Sequence, residues 1–243
     1  MMTDMITYPS KPLPPEEIAE NLEAVRRRIE VAAGRAGRDS AEVELVAVSK
    51  TYPPEAVRAA AEAGQLLFGE NRVQEGAAKI PLCPSRLRWH LVGHLQSNKA
   101  GAAVRLFDCI HSVDSPHLLL DLERHAVQQG RRLSVLVQVN VSGELSKSGI
   151  PPSGLPSILE LVPTLRAVTV DGLMTIPPAS ENPEDARPVF RALRELRDSA
   201  AEKFCVPLPH LSMGMTHDMD VAVEEGATFV RVGTGIFGAR TYT

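Results

Sequence analysis

The 243-residue chain is 44% hydrophobic and 23% charged, the balance of a folded protein with a sizeable core. A formal net charge of −4 argues against nucleic acid as a partner, and no apolar run reaches the roughly 18 residues of a membrane span. Three widely spaced cysteines form no CxxC pair, and the N-terminus has neither a basic n-region nor an apolar h-region, so a reducing, cytoplasmic setting is expected.

In chain order, residues 1–14 are proline-rich and aperiodic and read as a mobile tail before a single domain over 15–243. From Pro15 to about Gly37 the pattern is helical: Ile18, Leu22, Val25 and Ile29 share one face, and Gly34 and Gly37 end it. The cluster Arg26-Arg27-Arg28 reads as a solvated face of that helix. Short apolar runs then alternate with helical stretches. Strands are predicted at 43–49, 66–69, 88–93, 109–113, 134–140, 167–174, 209–213 and 228–232, with helical patterns at 54–64, 115–129, 154–161 and 184–203 among those between them. Such alternation implies parallel β/α units. Eight strands in about 250 residues favour an α/β fold of one closed (β/α)8 TIM barrel with an extra N-terminal helix. An open doubly wound sheet is the alternative.

In such a barrel the site forms at the C-terminal strand ends. The polar residues there are Ser49-Lys50, Glu70-Asn71, His94, Gln96 and Ser97, Asp114, Asn140, Thr175, the segment 212–215, and Arg231 leading to Gly233-Thr234. A lysine at a strand end can snorkel to water, or it can stand desolvated as a nucleophilic amine suited to a Schiff base with an aldehyde. The small residues of LSMGMTHDM (211–219) and of VRVGTGIFG (230–238) either serve tight turns or let backbone N–H groups meet a phosphate. Arg231 lies between Val230 and Val232 and so faces the other way, into the barrel, where it needs an acceptor such as a neutral ring nitrogen or an ion-pairing carboxylate. His90 and His94 are four apart on a strand, without the helical geometry of a metal pair, and no metal site is expected.

The segments LVAVSKTYP, FGENRVQE, WHLVGHLQSNK, HSVD, VQVNVSGELSKSGI, GLMTIPP, LSMGMTHDM and VRVGTGIFGAR occur in this order between about residues 15 and 240. Together they resemble the pyridoxal 5′-phosphate (PLP) homeostasis protein family, whose fold is similar to the N-terminal barrel of alanine racemase. The resemblance implies that Lys50 forms a Schiff base with PLP and that Ser212, Gly214, Gly233 and Thr234 hold its phosphate. It implies that Arg231 faces the pyridine nitrogen, that Asn71 and Met174 line the cofactor, and that Lys147 is a second lysine for cofactor transfer. Thr216 stands where the family pattern has serine, and Gly235 where it has alanine or another small residue.

An arginine is donor-only and would leave the ring nitrogen unprotonated, a weak electron sink. The resemblance implies a PLP carrier that stores, delivers or buffers the cofactor, with PLP-dependent apo-enzymes as recipients. The alternative is an amino-acid racemase. It needs a second base, which in alanine racemases is a tyrosine from another domain, and this chain offers only Tyr8, Tyr52 and Tyr242. Without that domain's dimer contact, a monomer is expected.

Overall fold

The structure, a computed structural model, describes residue 8, residues 10–144 and residues 147–239. A helix α1 (Pro15–Arg35) precedes β1 (Glu44–Val48), α2 (Pro54–Glu62), β2 (Leu67–Glu70), α3 (Val73–Lys79), β3 (Arg88–Leu91), α4 (Ala100–Leu106) and β4 (Cys109–Val113). Then follow α5 (Pro116–Gln129), β5 (Leu133–Gln138), α6 (Leu155–Leu159), β6 (Val168–Met174), α7 (Arg187–Phe204), β7 (His210–Met215), α8 (Met219–Glu224), β8 (Phe229–Val232) and α9 (Thr234–Phe237). The strands pair in sequence order, all parallel, and β8 returns to β1 to close the barrel. This is the (β/α)8 barrel expected from the alternation, and each predicted strand has its counterpart.

Strand alternation sorts the core into two layers. Leu45, Ala47, Phe68, Leu91 and Val230 point outward and join the apolar faces of the helices. Val46, Val48, Leu67, Val92, Leu136, Met174 and Phe229 point inward and pack against one another inside the barrel. The helix after β8 is one short turn, and α1 fills the place beside it, packing against α2, α8 and α9. Proline opens α1 and acidic Glu16 and Glu17 lie in its first turn, where they complement the helix dipole.

Two expectations change in detail. Arg26 and Arg28 do not simply face solvent: Arg26 donates to Ala63 O (3.2 Å), and Arg28 binds Asp220 (3.2 Å) and Thr216 O (3.1 Å). Part of the stretch read as a tail is packed. Ser10 is buried and donates to Thr51 O, and Leu13 lies against Gly238, while residues 1–7 and 9 lie outside the described residues.

Candidate functional site

A cavity of about 520 Å³ opens at the C-terminal ends of the strands. Continuing the inward parity of Val46 and Val48 brings Lys50 into its wall, and the same parity in β2 brings Asn71 from Leu67 and Gly69. Gly93 lies so close to Asn71 that a Cβ there would meet Asn71 O at 2.3 Å. Arg231, Gly233 and Thr234 from the end of β8 complete the wall, with His94, Gln138, Lys147 and Thr216.

Of the residues predicted to hold a phosphate, Gly233 and Thr234 line this cavity and Ser212 and Gly214 do not. The reason is the length of β7, which runs to Met215, two residues beyond the predicted end. Ser212 is therefore mid-strand and points into the closed interior, where it is fully buried. Gly214 has φ +90°, and a Cβ there would lie 2.5 Å from Ala222 Cβ, so it serves the packing of α8. Beside Thr234, Thr216 also lines the cavity. Its Oγ1 lies 3.2 Å from Thr234 Oγ1 and accepts from Gly235 N (3.2 Å), forming a small polar cradle with Gly233. Met174, also fully buried, lies below the cavity in the apolar interior rather than in its wall.

Arg231 is buried at the inner end. It donates through Nη1 to Ser212 Oγ (2.6 Å) and through Nη2 to Thr175 O (3.0 Å). Among the described residues Arg231 has no carboxylate within ion-pairing distance, so the ion-pair alternative is not met; its partners are a hydroxyl and a backbone carbonyl. Burial lowers its pKa to about 10, against a raising contribution from Asp218, and the guanidinium keeps its charge at neutral pH. The Ser212 oxygen, accepting from Arg231, also lies within hydrogen-bond distance of His111 Nδ1 (2.8 Å), and His111 Nε2 is hydrogen-bonded to His90 Nδ1 (2.9 Å). Burial pushes both imidazoles down, His90 to about 3, so each is neutral near pH 7.

This chain escaped the sequence reading. Its members lie 19 to 101 residues apart, and only barrel closure brings them together. Cys109 adds a third potential ligand atom within 4.8 Å of those of the two imidazoles, which are hydrogen-bonded to each other.

Lys147 reaches the cavity from the loop after β5. Asn140 shapes that loop: its Nδ2 donates to Glu144 O (2.9 Å) and Lys147 O (3.4 Å), and its Oδ1 accepts from Gly143 N (3.1 Å). His94 stands on the rim with Nδ1 3.4 Å from Asp114 Oδ2.

Fold and site thus define a class, a (β/α)8 barrel whose mouth joins a lysine, a buried arginine and a hydroxyl cradle. Residues 21–241 match the family of the alanine racemase N-terminal domain. The chain is 47% identical over 224 residues to the pyridoxal phosphate homeostasis protein of Aquifex aeolicus, with 92% of this chain and 98% of that one covered. PipY of Synechococcus elongatus, solved with PLP bound, is 40% identical with a TM-score of 0.80, covering 91% of this chain and 100% of that one. Alanine racemase from Corynebacterium glutamicum shares the fold alone, at 18% identity and a TM-score of 0.69, covering 93% of this chain and 61% of its own. The chain belongs to the pyridoxal phosphate homeostasis protein family.

Proposed function

We propose that this protein binds PLP at the barrel mouth through Lys50 and holds it for delivery, without turning over an amino acid. The observation that carries this reading is the convergence of an amine, a donor-only guanidinium and a hydroxyl cradle on one cavity. The residues fit the group. PLP brings an aldehyde that condenses with a primary amine, a pyridine nitrogen that accepts a hydrogen bond and a phosphate that needs donors. Lys50 supplies the amine. Arg231 donates toward the ring nitrogen without accepting a proton from it. Thr216, Thr234 and the backbone N–H of Gly233 hold the phosphate, and Asn71 packs beside the ring. Lys147, on the rim, is the second amine to meet a departing cofactor.

The carrier reading is supported by where the tyrosines lie. Tyr52 donates its hydroxyl to Gly238 O (2.6 Å), and Tyr8 lies behind the barrel wall over Lys79; Tyr242 is outside the described residues. Apo-enzymes are the recipients in this reading, and the acting form is a monomer in the cytoplasm. Borohydride reduction of the PLP-loaded protein followed by peptide mass analysis should place the cofactor on Lys50. An absorbance band at about 420 nm should vanish in Lys50→Ala. Retention of both in that variant would overturn the assignment. Racemisation of an L-amino acid at about 1 per second or faster would instead establish an enzyme, with His94 and Lys147 as the first bases to test.

A further inference from the structure

Behind the wall that carries Lys50 lies a second group of charges that the cavity does not use. Strand parity sends Ser49 and Glu70 outward, toward α3, as it turns Lys50 and Asn71 into the mouth. Lys79, at the end of α3, meets them there. Its Nζ lies 2.6 Å from Glu70 Oε1, and neither side chain has any solvent exposure. The same ammonium donates to Ser49 O (2.7 Å) and reaches Glu75 Oε1 (3.5 Å), and Ser49 Oγ donates to Glu70 Oε1 (2.7 Å). Glu75 Oε1 in turn accepts from the Thr51 amide. Both chain neighbours of Lys50 are therefore tied to one buried cluster.

The backbone held there is unusual. Thr51 has φ +70°, a left-handed conformation that a β-branched residue adopts only when its surroundings impose it. Ser10 grips Thr51 from the other side, N to O at 3.4 Å and hydroxyl to hydroxyl at 3.2 Å, and the Tyr8 ring covers Lys79 Nζ at 5.2 Å. An ammonium withdrawn wholly from water is costly unless several acceptors meet it. Here two of those acceptors, Ser49 O and the carboxylate that binds Thr51 N, belong to the segment 49–51 or hold it directly.

We propose that Lys79 is a positioning residue. Its buried contacts with Ser49, Glu70 and Glu75 hold residues 49–51 in the strained path that aims Lys50 into the mouth, and so set how long the cofactor stays. The second half rests on the reading of Lys50 as the amine that takes PLP. The full-length chain is compared with Lys79→Met and Glu75→Leu, each alone and each combined with Thr51→Gly. Hydrogen exchange of residues 49–52 in cofactor-free protein reads the clamp without PLP, and should speed up about 10-fold or more in both single variants.

Release of PLP from the loaded protein, followed by trapping with hydroxylamine, should accelerate by a similar factor. Glycine takes φ +70° without the Cβ contact, so Thr51→Gly should return release to within about 3-fold of wild type although exchange stays fast. A merely structural Lys79 would not show that rescue. Folded single variants with wild-type exchange at 49–52 would overturn the proposal, as would faster release that Thr51→Gly leaves uncorrected. If Lys79→Met does not fold, Glu75→Leu decides alone. A wild-type chain that takes up no PLP would sink the functional reading, while the exchange data still judge the clamp.

Discussion

Ser212 and Thr216 stand four residues apart and meet opposite environments. Ser212 Oγ is spent inside the barrel between Arg231 and His111, whereas Thr216 Oγ1 faces Thr234 at the cavity wall. Removing each hydroxyl should have a different consequence. Thr216→Val deletes one hydrogen bond to a bound anion, worth about 1.5–3 kcal/mol, and should weaken PLP binding about 10-fold or more at nearly unchanged stability. Ser212→Ala leaves Arg231 Nη1 and His111 Nδ1 without a partner and should cost about 1–3 kcal/mol of folding free energy. Its effect on PLP affinity should be smaller than that of Thr216→Val. Titration with PLP and urea unfolding read the two quantities separately. A Ser212→Ala protein of wild-type stability that binds PLP less well than Thr216→Val would return the phosphate to Ser212.

At the level of elements, the barrel was legible because each strand needs only a few alternating aliphatic residues, and alternation is a local property. Lys50 and Asn71 were legible for the same reason, since parity alone carries them to the mouth. The end of β7 was not. Gly214 reads as a turn residue in LSMGMTHDM, but its left-handed φ serves a close approach of α8, and the strand continues past it. The Lys79 cluster was hidden too, because a lysine closing a short helical stretch is usually solvated, whereas this one is fully buried by contacts distant in sequence. Two glycines test how far these elements depend on close contact. Gly93→Ala would push a Cβ into the Asn71 backbone, and should destabilise by about 1–3 kcal/mol while lowering PLP affinity through Asn71. Gly34 in α1 has nothing within 4 Å of its Cβ position, so Gly34→Ala should stabilise by about 0.5–1 kcal/mol. Thermal unfolding distinguishes the two signs directly.

For the whole molecule, placing polar groups inside and behind a closed barrel makes stability depend on pH in two opposing ways. Burial raises the Glu70 pKa from 4.5 to about 7, although Lys79 pulls it down, and its Oε2 is buried without a hydrogen-bond partner among the described residues. The folded chain therefore holds that proton more tightly than the unfolded chain. The stabilisation it gives is complete below pH 4.5 and is lost as pH rises through about 7. His90 runs the other way: burial lowers it from 6.5 to about 3, so its contribution is present above pH 6.5 and is lost as pH falls toward 3. His111, held well below 6.5 by burial and by His90 and Arg231, adds to that acid loss. Each proton contributes a slope of at most about 1.4 kcal/mol per pH unit. The stability of wild type relative to Glu70→Gln should therefore shrink as pH rises from 4.5 to 7, and relative to His90→Gln it should shrink as pH falls below 6.5. Urea unfolding at a series of pH values reads both differences. Slopes of the same sign for the two variants would mean that the cluster behind Lys50 and the chain below Arg231 are not the separately buried systems described above.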